Sequence, residues 1–181
     1  MPQFKIAAVL ACAIILQLSL RAVNWYPLSY IDFPLIVVVY IALQRDALQA
    51  LVVGTIAGLA IDAPSGGLLG AGGFSKTLTA YLIYVAASRV NLENALLRIP
   101  VLAAATLIDA SVYFFWQRLL GNPPSVPFVK TISYSLIGTT IVGSFVLYML
   151  DSVFSERVSQ RRQFASRRRV ARRGSGPLRR R

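Results

Sequence analysis

Four charged residues stand in stretches that are otherwise apolar: Asp32, Asp62, Lys76 and Asp109. A charge in hydrocarbon is costly, so such residues pair with one another, line a wet cavity or serve a pathway. Paired carboxylates can run acid–base chemistry, and a lone Asp at membrane depth can relay protons. An ammonium set between carboxylates can instead tie helices together. The spacing leads us to expect an ion-pair cluster joining Lys76 to one or more of Asp62, Asp32 and Asp109. Asp32 and Asp62 have a second reading as interfacial caps in headgroup water. Asp62 also precedes a Gly-rich turn and is placed to order it. Asp109 most needs a partner, because it sits about 15 Å from either end of its helix.

Other chemistries are poorly served. The chain has no His, and Cys12 is its only Cys. A His/Cys zinc site, an intrachain disulfide and His-activated nucleophiles are therefore excluded. Cys12 lies in an apolar run and is read as an inert packing residue. The turn Ser65-Gly66-Gly67-Leu68-Leu69-Gly70-Ala71-Gly72-Gly73 lacks the GK[ST] ending of a phosphate loop. No cofactor or metal motif is present, and enzyme activity is not expected.

The elements that must position these residues are membrane helices. Of 181 residues, 56% are hydrophobic and 14% charged, against roughly 25% charged in soluble domains. The mean hydropathy is +0.61. Apolar runs occur at Ile6–Leu20, Ile31–Leu43, Ala47–Ile61, Phe74–Ala87, Ile99–Trp116 and Thr131–Leu150. They predict an all-α membrane protein, a bundle of about six transmembrane helices over residues 1–151. The second run is short for a span, which needs about 20 residues. With the third it reads as a hairpin broken at Gln44-Arg45-Asp46; a re-entrant second run would leave five spans. Trp25, Tyr26 and Tyr30 suit an interfacial belt.

Small residues recur at helical spacing: Gly54 and Gly58, Ala7 and Ala11, and Ser135, Thr139 and Gly143. Such spacing lets membrane helices approach closely, and internal packing is its first reading ahead of a partner surface.

Charge orients the bundle. With both termini cytoplasmic, the inner segments hold Lys5, Arg45, Arg89, Arg98 and the whole basic tail; the outer ones hold Arg21, Arg118 and Lys130. The tail, 152–181, includes Arg167, Arg168, Arg169, Arg172 and Arg173. It is expected to be flexible and to meet anionic lipid, or to serve as a topology anchor. It has little aromatic interleaving, so nucleic acid is not expected.

Several stretches carry a family resemblance. They are Asp32-Phe33-Pro34-Leu35 with the apolar run behind it, Gly54-Thr55-Ile56-Ala57-Gly58-Leu59-Ala60-Ile61-Asp62, Ser65-Gly66-Gly67-Leu68-Leu69-Gly70, and Gly73-Phe74-Ser75-Lys76-Thr77-Leu78. Together they resemble the rod shape-determining MreD family over about residues 25–150, with the basic tail outside. The resemblance implies an inner-membrane subunit of the cell-elongation complex. It implies binding of MreC, and with it coupling of MreB filaments to the synthases RodA and a class B penicillin-binding transpeptidase. It also implies a fold similar to the six-helix substrate-binding subunits of energy-coupling-factor transporters. The assembly surface is then expected around Asp32, Gly54, Gly58, Asp62, Ser65, Gly66, Gly67, Gly70, Lys76 and Asp109. A rival function is a small-solute binding subunit of a transporter, with Asp109, Tyr113, Trp116, Tyr81 and Tyr84 as cavity walls.

Overall fold

The structure is a computed structural model that describes residues 3–23, 28–65, 69–89, 95–121 and 129–150. All regular structure among them is helical: α1 (Gln3–Ala22), α2 (Phe33–Leu43), α3 (Ala47–Asp62), α4 (Ala71–Arg89), α5 (Ala95–Leu119) and α6 (Val129–Leu150). Contacts divide the chain into Met1–Val146 and Leu147–Arg181. Of the second unit, residues 147–150 are described, as the last turn of α6. Glu93, Trp25, Tyr26 and the basic tail lie outside the described residues.

Among the described residues, three helices are long and apolar enough to cross a membrane: Phe4–Ala22, Leu97–Leu119 and Val129–Leu150. Only 17–22% of their apolar windows is buried inside the protein, so most of that surface needs a solvent as apolar as itself. Phe115, Ile137, Ile141 and Phe145 are among the large side chains facing outward. Cys12 does too: it is exposed on α1, not packed as its apolar run suggested, because α1 turns Ile6, Leu10, Ala13 and Gln17 inward.

At the centre lies α2. It is the most apolar helix, yet Pro34 to Ala42 are all buried, and it packs on α1, α3, α4 and α5. Its 11 residues reach only roughly 17 Å. Its apolar character therefore serves protein packing rather than lipid. A helix end inside a bundle must satisfy its amides without water, and here each is met. The Asp32 N–H donates to Thr139 Oγ1 (3.2 Å), and the Phe33 N–H to Gln17 Oε1 (3.1 Å). Pro34 has no N–H to satisfy. Leu35 N–H donates to Asp32 Oδ1 (2.9 Å) and Ile36 N–H to the Asp32 carbonyl (3.3 Å). The polar break after α2 is tight: Arg45 adopts φ +64°, and Asp46 caps α3 by accepting from Gln49 N–H at 3.2 Å.

The glycine stripe on α3 faces α4. A Cβ on Gly58 would stand 2.2 Å from the Gly72 carbonyl oxygen and 2.4 Å from Gly73 Cα. On Gly54 it would meet the Lys76 carbonyl oxygen at 3.0 Å. Backbone thus packs on backbone, and a Thr55–Thr77 hydroxyl pair (2.8 Å) closes the seam. On α6, Gly143 makes room for Leu102 and Ile36. These two sets are internal packing. Ala7 and Ala11 differ, facing outward over an apolar groove of ≈ 480 Å³ between α1 and α3.

Candidate functional site

The α3–α4 seam delivers Lys76 to the bundle interior, five residues into α4 and 4% exposed. Its Nζ donates to Asp32 Oδ2 and, at 2.9 Å, to Asp109 Oδ2. Asp109, ten residues before the end of α5, also accepts from Ser75 Oγ at 2.6 Å through its other oxygen. Asp32 is the N-cap of α2, where the helix dipole favours its negative charge. One ammonium thus joins α4, the start of α2 and α5. The arrangement replaces the water that each charge lost.

Asp62 is not part of this ion-pair set. It is buried (4% exposed), and its Oδ2 accepts N–H bonds from Gly70 (2.9 Å), Gly72 (2.8 Å) and Gly73 (3.3 Å). It orders the Gly-rich turn at the start of α4, the third of the three readings its position allowed. It does so out of bulk water. The turn needs its glycines for stated reasons: Gly70 has φ +101°, and a Cβ on Gly72 would collide with the Asp62 carboxylate at 2.4 Å. The backbone of Ser65 is described, in a short 3-10 turn, while Gly66 and Gly67 lie outside the described residues.

Among the sequence-expected residues, the fold therefore brings Asp32, Lys76 and Asp109 together. Asp62 with Gly70 stands beside them, and Gly54 and Gly58 set the helix spacing behind. Three partners escaped the sequence reading. Gln17 and Ser75 are buried, 1% and 0% exposed, and Thr139 was read only as a small residue. A Gln inside the apolar run of α1 was the available signal, since an amide in lipid also needs partners.

A cavity of ≈ 180 Å³ opens beside the cluster, lined in part by Arg21, Asp32, Asp62, Lys76, Asp109 and Tyr113. Of the walls expected for a solute site, Asp109 and Tyr113 line it. Trp116 packs edge-on against Phe74 at 5.4 Å, and Tyr81 is 49% exposed on the outer surface of α4. Tyr84 is half-buried. Small-molecule sites occupy about 300–1,000 Å³, so this cavity is small for a vitamin-sized solute.

Apolar flanks, a buried apolar central helix and a charge cluster locked at one end define an all-helical membrane bundle with a polar interior tie. The family model for rod shape-determining protein MreD matches residues 2–154, and the chain belongs to that family. Neither a curated protein nor a solved structure matches it.

Proposed function

We propose that this chain is a non-catalytic scaffold of the rod-shape machinery in the cytoplasmic membrane. In this reading it binds MreC and, with it, helps couple MreB filaments to RodA and a class B penicillin-binding transpeptidase. Family membership over residues 2–154 carries the reading. The geometry favours it as well: the intramembrane charges are spent on one another, with Lys76 held by two carboxylates and Asp62 by three amides. Groups committed in this way fix a helix arrangement rather than turn over a substrate.

Both termini are placed in the cytoplasm, where the basic residues concentrate and the Arg-rich tail meets anionic lipid. The end of the bundle carrying Asp62 and the start of α4 then faces outward, toward an extracytoplasmic partner. Asp62 and Lys76 are each 4% exposed, so they shape that surface without touching the partner. Leu69 (74% exposed) and Phe74 (50%) are among the apolar side chains offered there.

The test is co-purification of tagged full-length chain with MreC from the same genome, in mild detergent. A stable complex is expected, weakened by Leu69→Ala with Phe74→Ala and by Asp62→Ala. Failure of a well-folded chain to retain MreC overturns the reading.

A further inference from the structure

The apolar groove between α1 and α3 has a definite depth. Arg21 and Asp62, at the ends of these two helices, line one cavity, so the helices run side by side in the same direction. The groove lies toward the other end of both, lined from Ile6 to Ile14 on α1 and from Leu48 to Ile56 on α3. Eight residues of helix rise about 12 Å. The hydrocarbon core is about 30 Å thick. The groove therefore covers most of one leaflet, the one in which α1 and α3 begin.

Its shape follows from residue size. Leu10 and Val53 are buried at its floor, while Leu48, Val52 and Ile56 stand exposed along the α3 side. On the α1 side Ala7 and Ala11 are exposed, and their methyl groups leave the space open. Spread over about 12 Å, the ≈ 480 Å³ gives a mean cross-section of about 40 Å². A helix about 10–12 Å across needs roughly twice that. An unbranched hydrocarbon chain is slimmer, and lying there it makes the dispersion contacts that an empty groove forfeits.

Among the residues lining the groove, Gln49 is the one with a polar side chain. Its backbone N–H is taken by Asp46, but its half-buried side-chain amide makes no hydrogen bond among the described residues. It sits in the first turn of α3, at the end of the groove where the helix enters the membrane. An acyl chain cannot satisfy an amide. The ester and phosphate oxygens at the head of that chain can, by accepting from its N–H groups.

We propose that this groove is a phospholipid site: one acyl chain lies between α1 and α3, and the ester or phosphate oxygens above it accept from the Gln49 amide. These contacts are to parts common to glycerophospholipids, so the site selects the chain and its glycerol phosphate rather than the headgroup. The site does not depend on the scaffold reading, because it takes a lipid and not a protein partner.

The experiment uses the purified full-length chain, delipidated in mild detergent. Phosphatidylglycerol or phosphatidylcholine of matched acyl chains is added back, and native mass spectrometry reads the lipid retained per chain. One lipid is expected, to a similar extent for both headgroups. Ala7→Leu with Ala11→Leu fills the groove from an exposed face at little cost in helix propensity, and is expected to lose that lipid. Ala8→Leu with Cys12→Leu adds similar bulk at exposed positions of α1 outside the groove lining and is expected to keep it. Gln49→Leu removes a hydrogen bond and is expected to weaken retention about fivefold. Unchanged retention in the filled-groove variant overturns the proposal, and so does unchanged retention in Gln49→Leu. A dimer of the unmodified chain that the filled-groove variant abolishes also overturns it, and assigns the groove to a second copy. Thermal denaturation checks that each variant folds; should the double variant fail to fold, Ala11→Leu alone and Gln49→Leu decide the matter.

Discussion

Lys76 and Asp109, 33 positions apart, meet at 2.9 Å inside the bundle, and the same ammonium reaches Asp32. Because one cation serves two carboxylates, the three positions are not equivalent.

Lys76→Met leaves two buried carboxylates without their cation. Breaking a buried pair costs about 3–5 kcal/mol, so this variant is expected to accumulate poorly and to denature far earlier in detergent. Asp109→Asn and Asp32→Asn each leave Lys76 one carboxylate and are expected to be milder. The exchange Lys76→Asp with Asp109→Lys sets two carboxylates side by side at positions 32 and 76. It should recover only part of the loss unless Asp32→Asn is added. Denaturation midpoints of the full set check this order. Equal loss in all three single variants would contradict it.

Gly58→Ala drives a methyl into the α4 backbone, 2.2 Å from a carbonyl oxygen that cannot swing away. Overpacking costs about 1–3 kcal/mol even where side chains can shift, so the upper end or beyond is expected. Gly54→Ala meets its neighbour at 3.0 Å and gains up to about 1 kcal/mol of helix propensity. It is expected to be near neutral. The two midpoints, measured side by side, test the seam.

Asp62→Ala strands the amides of Gly70, Gly72 and Gly73. Each unsatisfied buried donor costs about 1–3 kcal/mol, less whatever water can reach. Hydrogen exchange at residues 70–73 should speed markedly, while amides in the middle of α3 keep their protection. Asp62→Asn retains an acceptor oxygen without the charge and should fall between the two. Unchanged exchange in Asp62→Ala would show that the turn holds itself.

Ile141 is 67% exposed near the middle of α6, and Val129 is 74% exposed at its start. If lipid is their solvent, Ile141→Lys costs about 2.5–3.5 kcal/mol of insertion, whereas a lysine at position 129 can snorkel to water. A reporter fused after residue 150 should show reduced insertion for Ile141→Lys alone. Equal insertion of both variants would place this face of α6 against something other than lipid.

Much of this was determined by the sequence itself. The six apolar runs locate the helices to within a few residues, because a chain in lipid must satisfy its backbone within each segment, and only helices do so locally. The largest shift is at α5, which starts at Ala95 rather than Ile99 and carries Pro100 in its second turn. The small-residue stripe on α3 was equally legible, since it is a local pattern, whereas Asp46 was read only as part of a polar break and its capping of α3 came from the structure. The isolated charges announced that they needed partners.

Which partners they take was decided by tertiary structure. Lys76 reaches Asp32 and Asp109 across separations of 44 and 33 residues, while Asp62, much closer in sequence, turns to the amides of its own turn. Hydropathy could not show that α2, the most apolar helix, is the one most enclosed by protein. Nor could it separate Ala7 and Ala11, facing outward, from Gly54 and Gly58, buried against a backbone. In lipid the inward and outward faces of a helix are both apolar, so periodicity loses the contrast that marks a buried face in water. Only the packing of the helices supplies it.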